Sequence, residues 1–381
     1  MRILHISADY PDPLVAAKTR AVSNLLAMAA EAHEHRVISL NRIGPGAGVR
    51  ALDFADAAGG GHRAVAYGAP AKGVMLRRYL EQLADWIAAD CAAAGFAPEA
   101  VHAHKLTVEG IVGQRLAEAW DVPLIVSVQG NTDLKIVRAK RGMRPLYADI
   151  WANAAVAFPF APWARAGLDE LLAVREGPTH FLPCPGPADA RLAPEVCQGP
   201  PVIATALNMR DAENKNIARL IRATAKAARE VPDIRLDVIG GGDAAAFARL
   251  ASLAEAEAPG RVRFLGAVPH GEVQRLFHAA AAFALVSHRE SYGMVFAEAL
   301  LAGAPCLIPR GQGIDGYFEE GSVVLSAPSR NEGAMASALV RLAREEAAFK
   351  TRLADLGGAG GLDFMTRDAI AATYLDALAA I

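Results

Sequence analysis

Short apolar runs of strand-like composition alternate with Ala/Leu-rich stretches of helical period along the whole chain, and this alternation restricts the fold more than any other feature. In the first half, residues 2–7, 36–40, 64–67, 100–104, 124–128, 155–158 and 180–182 read as strands. Between them, residues 19–32, 74–93 and 107–119 carry apolar positions at helical spacing. Strand and helix in strict succession argue for a parallel sheet covered on both faces. The pattern stops at Pro183-Cys-Pro-Gly-Pro187, and Pro/Gly spacing continues to Gly199-Pro-Pro201, which suits a linker and neither a helix nor a central strand. It then restarts, with strands at 202–206, 235–239, 262–265, 282–286, 306–308 and 323–325. Helices at 216–230, 244–256, 271–280 and 294–302 separate them, and an Ala-rich helical tail follows Asn331. The expectation is a two-domain α/β protein of doubly wound, Rossmann-like units: residues 1–185, residues 186–360, and a terminal helix over 361–381. Ligands of such sheets bind beyond the carboxyl ends of the strands, and two facing domains leave a cleft.

Composition removes several classes. With 381 residues and 53% hydrophobic character the chain has ample material for folded cores. A net charge of −2 gives no general attraction for nucleic acid. Cys91, Cys184, Cys197 and Cys306 are far apart and form no CxxC pair, which fits free thiols in a reducing cytoplasm. The most apolar stretches, residues 154–163 and 279–286, fall well short of the ~20 residues that span a bilayer. The start of the chain lacks the longer apolar core of a secretory signal. The expected location is cytoplasmic, with peripheral contact at the inner membrane face left open.

Several familiar phosphate and nucleophile signatures are missing: no GxxxxGK[ST], GxSxG, HExxH or Asp-x-Asp occurs. His102-Ala-His104 projects two imidazoles from one strand face, a spacing that can ligate a metal. No third ligand is evident nearby, so the pair reads as a strand-end feature lining a cleft or solvated, and no metal ligands are assigned.

Residues 288–305 stand out: His288-Arg-Glu290-Ser291-Tyr292-Gly293-Met294-Val295-Phe-Ala-Glu298, then a helix that stops at Gly303 with Pro305 beyond. A strand runs into a polar turn and the turn opens a helix. The helix N-terminus offers unpaired N–H groups and a partial positive charge. Gly293 lets that backbone approach a phosphate closely. Glu290 lies at the strand end within reach of a sugar, and Glu298 can accept from two vicinal hydroxyls. Taken alone, this stretch is more readily a surface loop followed by a helix with an incidental glutamate. A second segment follows the strand at 202–206: Asn208-Met-Arg210-Asp-Ala-Glu-Asn-Lys215 places two cations where they could oppose a diphosphate, or be solvated beside Asp211 and Glu213.

Together and in this order, the two segments resemble the retaining GT-B glycosyltransferases of the family 4 type. The shared pattern is Arg-x4-Lys (Arg210, Lys215), a Gly-rich turn (Gly240–Asp243), Phe264-Leu-Gly266, E-x7-E (Glu290, Glu298) and Ala302-Gly-Ala-Pro305. The tail Phe364–Tyr374 is similar to the family's terminal helix, which crosses back to the first domain. The resemblance implies a donor nucleotide on the C-terminal domain. Arg210 and Lys215 would hold its diphosphate with help from the Gly293 and Met294 backbone. Glu298 would hold the ribose, and Glu290 would contact the donor sugar. Ser291, Tyr292, Val295, Gly241 and Val268 would complete the donor site, the last lying near the base. It implies no metal, no cofactor beyond the donor, and no protein nucleophile.

The acceptor side departs from the family. Residues 10–20 replace its Gly-Gly loop, with Lys18 and Arg20 as candidate anion contacts, and Gln129 stands where many members place a histidine. His104 and Asn131 are further acceptor-side candidates. The implied acceptor is a saccharide or lipid-linked saccharide in surface or exopolysaccharide assembly. The basic run Lys135–Arg144, with no acid between its ends, suits an anionic membrane surface or lipid diphosphate, or a solvated helix. It is short and lacks aromatics to stack bases, so no nucleic-acid partner is expected. A nucleotide-sugar epimerase on the same scaffold and a non-catalytic sugar-nucleotide binding protein are the alternatives.

Overall fold

The computed structural model describes residues 1–15, 17–70, 73, 75–187 and 189–381. Val74, the first residue of one expected helix, and Ala16, within the altered first loop, lie outside the described residues. The chain divides into two compact units, one of Met1–Pro185 with Arg367–Ile381 and one of Gly186–Thr366.

The first unit is built on a seven-stranded sheet. Its strands are β1 (Arg2–Ser7), β2 (Glu34–Ile43), β3 (Arg50–Asp56), β4 (Gly59–Gly68), β5 (Ala100–Ala103), β6 (Leu124–Val128) and β7 (Val156–Pro159). Their order is β3-β4-β2-β1-β5-β6-β7, parallel throughout except for β3, which pairs antiparallel with β4. β1, β5 and β6 are buried on both faces because helices cover both faces. Helix Leu76–Ala93 shows why: Leu76, Leu80, Leu83, Ala84, Ile87 and Cys91 form one buried stripe while its charged residues face outward.

The sequence misses β3, whose residues are mostly exposed at the sheet edge, so its alternation has little apolar contrast. It also misses helices Asn131–Ala139, Arg144–Asn153 and Pro162–Leu171. Residues 180–182, expected as a strand, run extended beside β7 with single hydrogen bonds from the His180 and Leu182 N–H groups to Ala157 and Pro159. Pro178 and Pro183 flank them and prevent a longer ladder.

The second unit has six parallel strands, β8 (Val202–Ala206), β9 (Arg235–Ile239), β10 (Val262–Gly266), β11 (Ala282–Ala284), β12 (Cys306–Pro309) and β13 (Val324–Ala327). Their order, β10-β9-β8-β11-β12-β13, reverses direction between β8 and β11. The first unit makes the same reversal between β1 and β5. Among the described residues no disulfide forms; Cys91, Cys184 and Cys306 are buried thiols.

The last helix, Arg367–Ala379, belongs to the first unit. Ile370, Tyr374, Ala377 and Leu378 pack against Ile3, Leu25, Ile125 and Phe158. Tyr374 is fully buried, and its hydroxyl meets Nδ1 of His102 at 3.1 Å. Tyr374→Ala is therefore expected to destabilise the first unit by about 3–5 kcal/mol through the cavity it leaves. Tyr374→Phe, which removes only the hydrogen bond, should cost about 1 kcal/mol. Denaturant unfolding of the two variants separates these outcomes.

Candidate active site

In the second unit the polar residues collect where β8 and β11 end. After β8 the chain passes Leu207 and makes a short helical turn, Met209–Asp211, in which Asn208 Oδ1 accepts from the Arg210 N–H at 3.0 Å. It then reaches Asn216, whose φ of +61° lets the next helix, Ile217–Ala227, begin abruptly. Asn216 is buried and donates from Nδ2 to the carbonyls of Val286 (2.9 Å) and Ser329 (2.7 Å). Asn214 Nδ2 donates to the Arg289 carbonyl (3.1 Å), and the His288 N–H donates to the Asn214 carbonyl (2.7 Å). Hydrogen bonds thus fix the loop after β8 to the loop after β11.

This stitching brings Lys215 and Glu290 together. Lys215 Nζ lies 2.6 Å from Glu290 Oε2, the two side chains being 21% and 10% exposed. Ser287 Oγ donates to the same oxygen at 3.0 Å, and the Glu290 backbone N–H is held by Gln312 Oε1 at 2.8 Å. Arg210 stays exposed and rests its Nε on the Gly242 carbonyl at 3.1 Å, in the turn after β9. That turn needs glycine: at Gly240, with φ of +131°, an added Cβ would lie 1.8 Å from the Leu207 carbonyl oxygen. Gly241 accepts the Met209 N–H at 2.9 Å.

Helix Met294–Leu301 starts at Gly293 with φ of +75°, where an added Cβ would meet the Phe296 ring at 2.7 Å. Among the described residues no side chain caps this N-terminus and no acid sits in its first turn, so its partial positive charge is not offset locally. Ser291, Met294 and Val295 are half-buried around it and Tyr292 is buried, while Val268 is half-buried just after β10. Glu298 sits on the second turn. Burial pushes its carboxyl up to about 7, and among the described residues no cation pairs with it.

The model described as Glycosyl transferases group 1 matches residues 202–355, which contain this whole constellation, and the Glycosyl transferase 4-like domain matches residues 17–185. The chain belongs to the group 1 glycosyltransferases. Among solved structures it is similar to a sucrose-phosphate synthase from Thermosynechococcus elongatus, with 18% identity, a TM-score of 0.70 and all of both chains covered. HepE of Anabaena in complex with UDP has 13% identity and a TM-score of 0.68, again over both whole chains. A UDP-forming α,α-trehalose-phosphate synthase from Burkholderia xenovorans in complex with glucose-6-phosphate has 10% identity and a TM-score of 0.68, over 99% of this chain and all of that one. At these identities the likeness shows the fold: GT-B, two Rossmann-like domains. No curated protein matches the chain.

The first unit of this glycosyltransferase corrects two acceptor-side expectations. Lys18, expected as an anion contact, is turned inward. Its ammonium is spent inside the unit on Asp12 Oδ2 (2.7 Å), Ser39 Oγ (2.9 Å) and the Leu40 carbonyl (3.2 Å). His104 neither lines a cleft nor stands in solvent: it is 1% exposed and bonded to His5. Arg20 remains exposed at the start of helix Ala21–Ala29. Gln129 is buried with its backbone N–H on Asp133 Oδ2, and Asn131 opens the next helix with a buried Nδ2 that has no partner among the described residues.

A charged cluster that the sequence reading passes over lies beside these residues. Lys105 Nζ is 2.7 Å from Asp9 Oδ2 and 3.9 Å from Glu109 Oε1. Burial pushes Glu109 up to about 7 and Asp133 to about 6, with Lys105 pulling both back. Glu109 Oε1 accepts the Ala8 N–H at 2.7 Å, while its Oε2 is buried without a partner. Lys105-x3-Glu109 directly after a strand was the available signal: a helix-spaced ion pair placed at a sheet's carboxyl edge. Because the folded Glu109 carboxyl titrates above its unfolded value, its contribution to stability is full below about pH 4.5 and lost as pH rises through about 7. Glu109→Gln should thus gain thermal stability over wild type at pH 8, by up to about 3 kcal/mol. The gain should shrink toward pH 4.5; pH-resolved thermal unfolding would show a constant difference if this is wrong.

Proposed function

We propose that this glycosyltransferase moves a sugar from a nucleotide-diphosphate sugar to a saccharide or lipid-linked saccharide, with retention and without a metal, in bacterial surface or exopolysaccharide assembly. The observation that carries the reading is the Lys215–Glu290 contact beside an uncapped helix N-terminus, with Arg210 held on the adjoining glycine turn. The two cations and the amide end form a cradle for a diphosphate, and Glu290 stands at its edge where the sugar would attach. The bond from the anomeric carbon to the β-phosphate oxygen breaks while the acceptor oxygen bonds to the same face. The acceptor proton passes to the departing phosphate, whose new charge Lys215 and Arg210 stabilise. Glu298, ionised, accepts from the ribose hydroxyls. A uridine nucleotide is the first donor to test, since HepE has been solved with UDP and UDP-glucose.

Thermal-shift measurements with UDP, GDP, ADP and their sugars should identify the nucleotide by its stabilisation of the folded chain. Lys215→Ala should lower turnover about 10²–10³-fold, and wild-type rates would remove its leaving-group role. Glu298→Ala should weaken nucleotide binding. Affinity in the wild type should fall as pH drops below about 7, where the Glu298 carboxyl takes up its proton. Donor turnover without acceptor would instead favour an epimerase, and binding without any turnover a non-catalytic binding protein.

Among the described residues no helix is long and apolar enough to cross a membrane. Supporting peripheral contact, Arg77, Arg78, Lys140 and Arg141 line an open groove of about 820 Å³ in the first unit, with Met75 and Met143 among them. Cations with apolar neighbours suit an anionic lipid surface. Replacing Lys140, Arg141 and Arg144 by Gln should weaken co-sedimentation with anionic vesicles by up to about a hundredfold, at ~1 kcal/mol per charge. Equal sedimentation of variant and wild type would end the membrane reading.

A further inference from the structure

The transfer reaction makes no use of the histidines at the centre of the first unit. His5 in β1 and His102 in β5 face each other in the parallel register, and His104 follows two residues on, so the three rings leave the sheet on one face. Their exposures are 0%, 0% and 1%. Nδ1 of His5 lies 3.1 Å from Nε2 of His104, and one nitrogen of each ring lies within 4.8 Å of the other two. The arrangement, a pair two residues apart on one strand and a third ring on its neighbour, is suited to three-histidine coordination. A tetrahedral ion with nitrogens at about 2.0–2.1 Å spaces them by roughly 3.3 Å. The His5–His104 separation of 3.1 Å is already close to this, and the His102 nitrogen lies within 4.8 Å of both.

The surroundings are those of an ordered ligand set. Nε2 of His5, the nitrogen turned away from His104, is 2.8 Å from Nδ1 of His35, a bond that fixes the ring's orientation. His102 meets the Tyr374 hydroxyl at 3.1 Å through Nδ1 and Ser127 Oγ at 2.8 Å through Nε2. One of these hydroxyls gives way on ligation and the other continues to orient the ring. Burial, and secondarily the neighbouring imidazoles, hold His5 and His102 well below the usual histidine range, and burial holds His104 near 3, so the rings are in the neutral form that ligates. A cavity of about 10 Å³ touches His104 and Ser127, close to the room that one water needs as a fourth ligand.

We propose that His5, His102 and His104 bind one divalent transition-metal ion of the zinc class, as a structural site that pins β1 to β5 and, through Tyr374, the last helix of the chain. Imidazole ligands suit zinc, cobalt, nickel and copper, and a buried site favours the tetrahedral ions. The ion takes no part in sugar transfer, so the proposal stands apart from the donor and acceptor assignments.

The test uses the full chain without a polyhistidine tag, stripped with chelator and dialysed against Zn²⁺ or Co²⁺. The expected result is one ion per chain by elemental analysis. With Co²⁺ the visible bands should have the intensity of a tetrahedral site, and Zn²⁺ should raise the unfolding temperature. His5→Gln and His104→Gln, each verified as folded by circular dichroism, should weaken Zn²⁺ binding at least tenfold. Failure of the wild-type chain to take up Zn²⁺ or Co²⁺ would overturn the proposal without recourse to any variant. Equal affinity in both folded variants would overturn it as well, by assigning the ion to other histidines.

Discussion

In each unit one strand sends the chain toward one edge of the sheet, and its neighbour sends it toward the other. Because parallel crossovers are right-handed, the helices that follow β8 and β11 go to opposite faces, and the loops between them part. That parting is the constraint on which the rest depends. It leaves backbone at the carboxyl ends of β8 and β11 uncovered, and the sequence fills the gap with Asn214, Asn216, Lys215 and Glu290. The first unit repeats the device between β1 and β5, where Asp9, Lys105 and Glu109 gather.

The two gaps are chemically unlike. In the second unit Lys215 is partly exposed and paired with Glu290, and Arg210 is turned outward, so neither cation is a buried ion. In the first unit the carboxyls of Glu109 and Asp133 are fully buried around one lysine, and their protons are held more tightly than in water. Burying charge in this way is costly. The asymmetry follows from the helices: Glu109 and Asp133 lie in the first turns of helices packed tightly on the sheet, whereas the helix at Gly293 begins in an open turn.

How much of this is legible in the sequence depends on the range of the interaction. β8, β9 and β11 are short buried apolar runs bounded by turn residues, and they read directly, as do the E-x7-E segment and Arg210/Lys215. β3 escapes because an exposed edge strand needs no apolar contrast, and helix Asn131–Ala139 because only Asp133, Leu134 and Val137 are buried in it. Lys18 misleads for a local reason: Asp12, six residues earlier, captures its charge once the loop folds back on β2. The third histidine was out of reach for the opposite reason. His5 is 99 residues from His104, and only the strand register of β1 on β5 makes them neighbours.

The Lys215–Glu290 pair also limits what could replace it. The ammonium serves one carboxylate oxygen at 2.6 Å and has two further N–H donors on the same nitrogen, so it can keep Glu290 in place while it meets a phosphate. Arginine would carry its charge over a planar fork, with donors directed in pairs along fixed edges, and would either hold Glu290 side-on or leave it for the phosphate. Glu290, in turn, is oriented by Ser287 and Gln312 rather than by the lysine alone, so its position survives a change in how Lys215 divides its bonds. Under the proposed function, a compact cation and an independently anchored carboxylate would let Lys215 keep its pairing with Glu290 while it meets the diphosphate. The pair balances its own two charges within the fold.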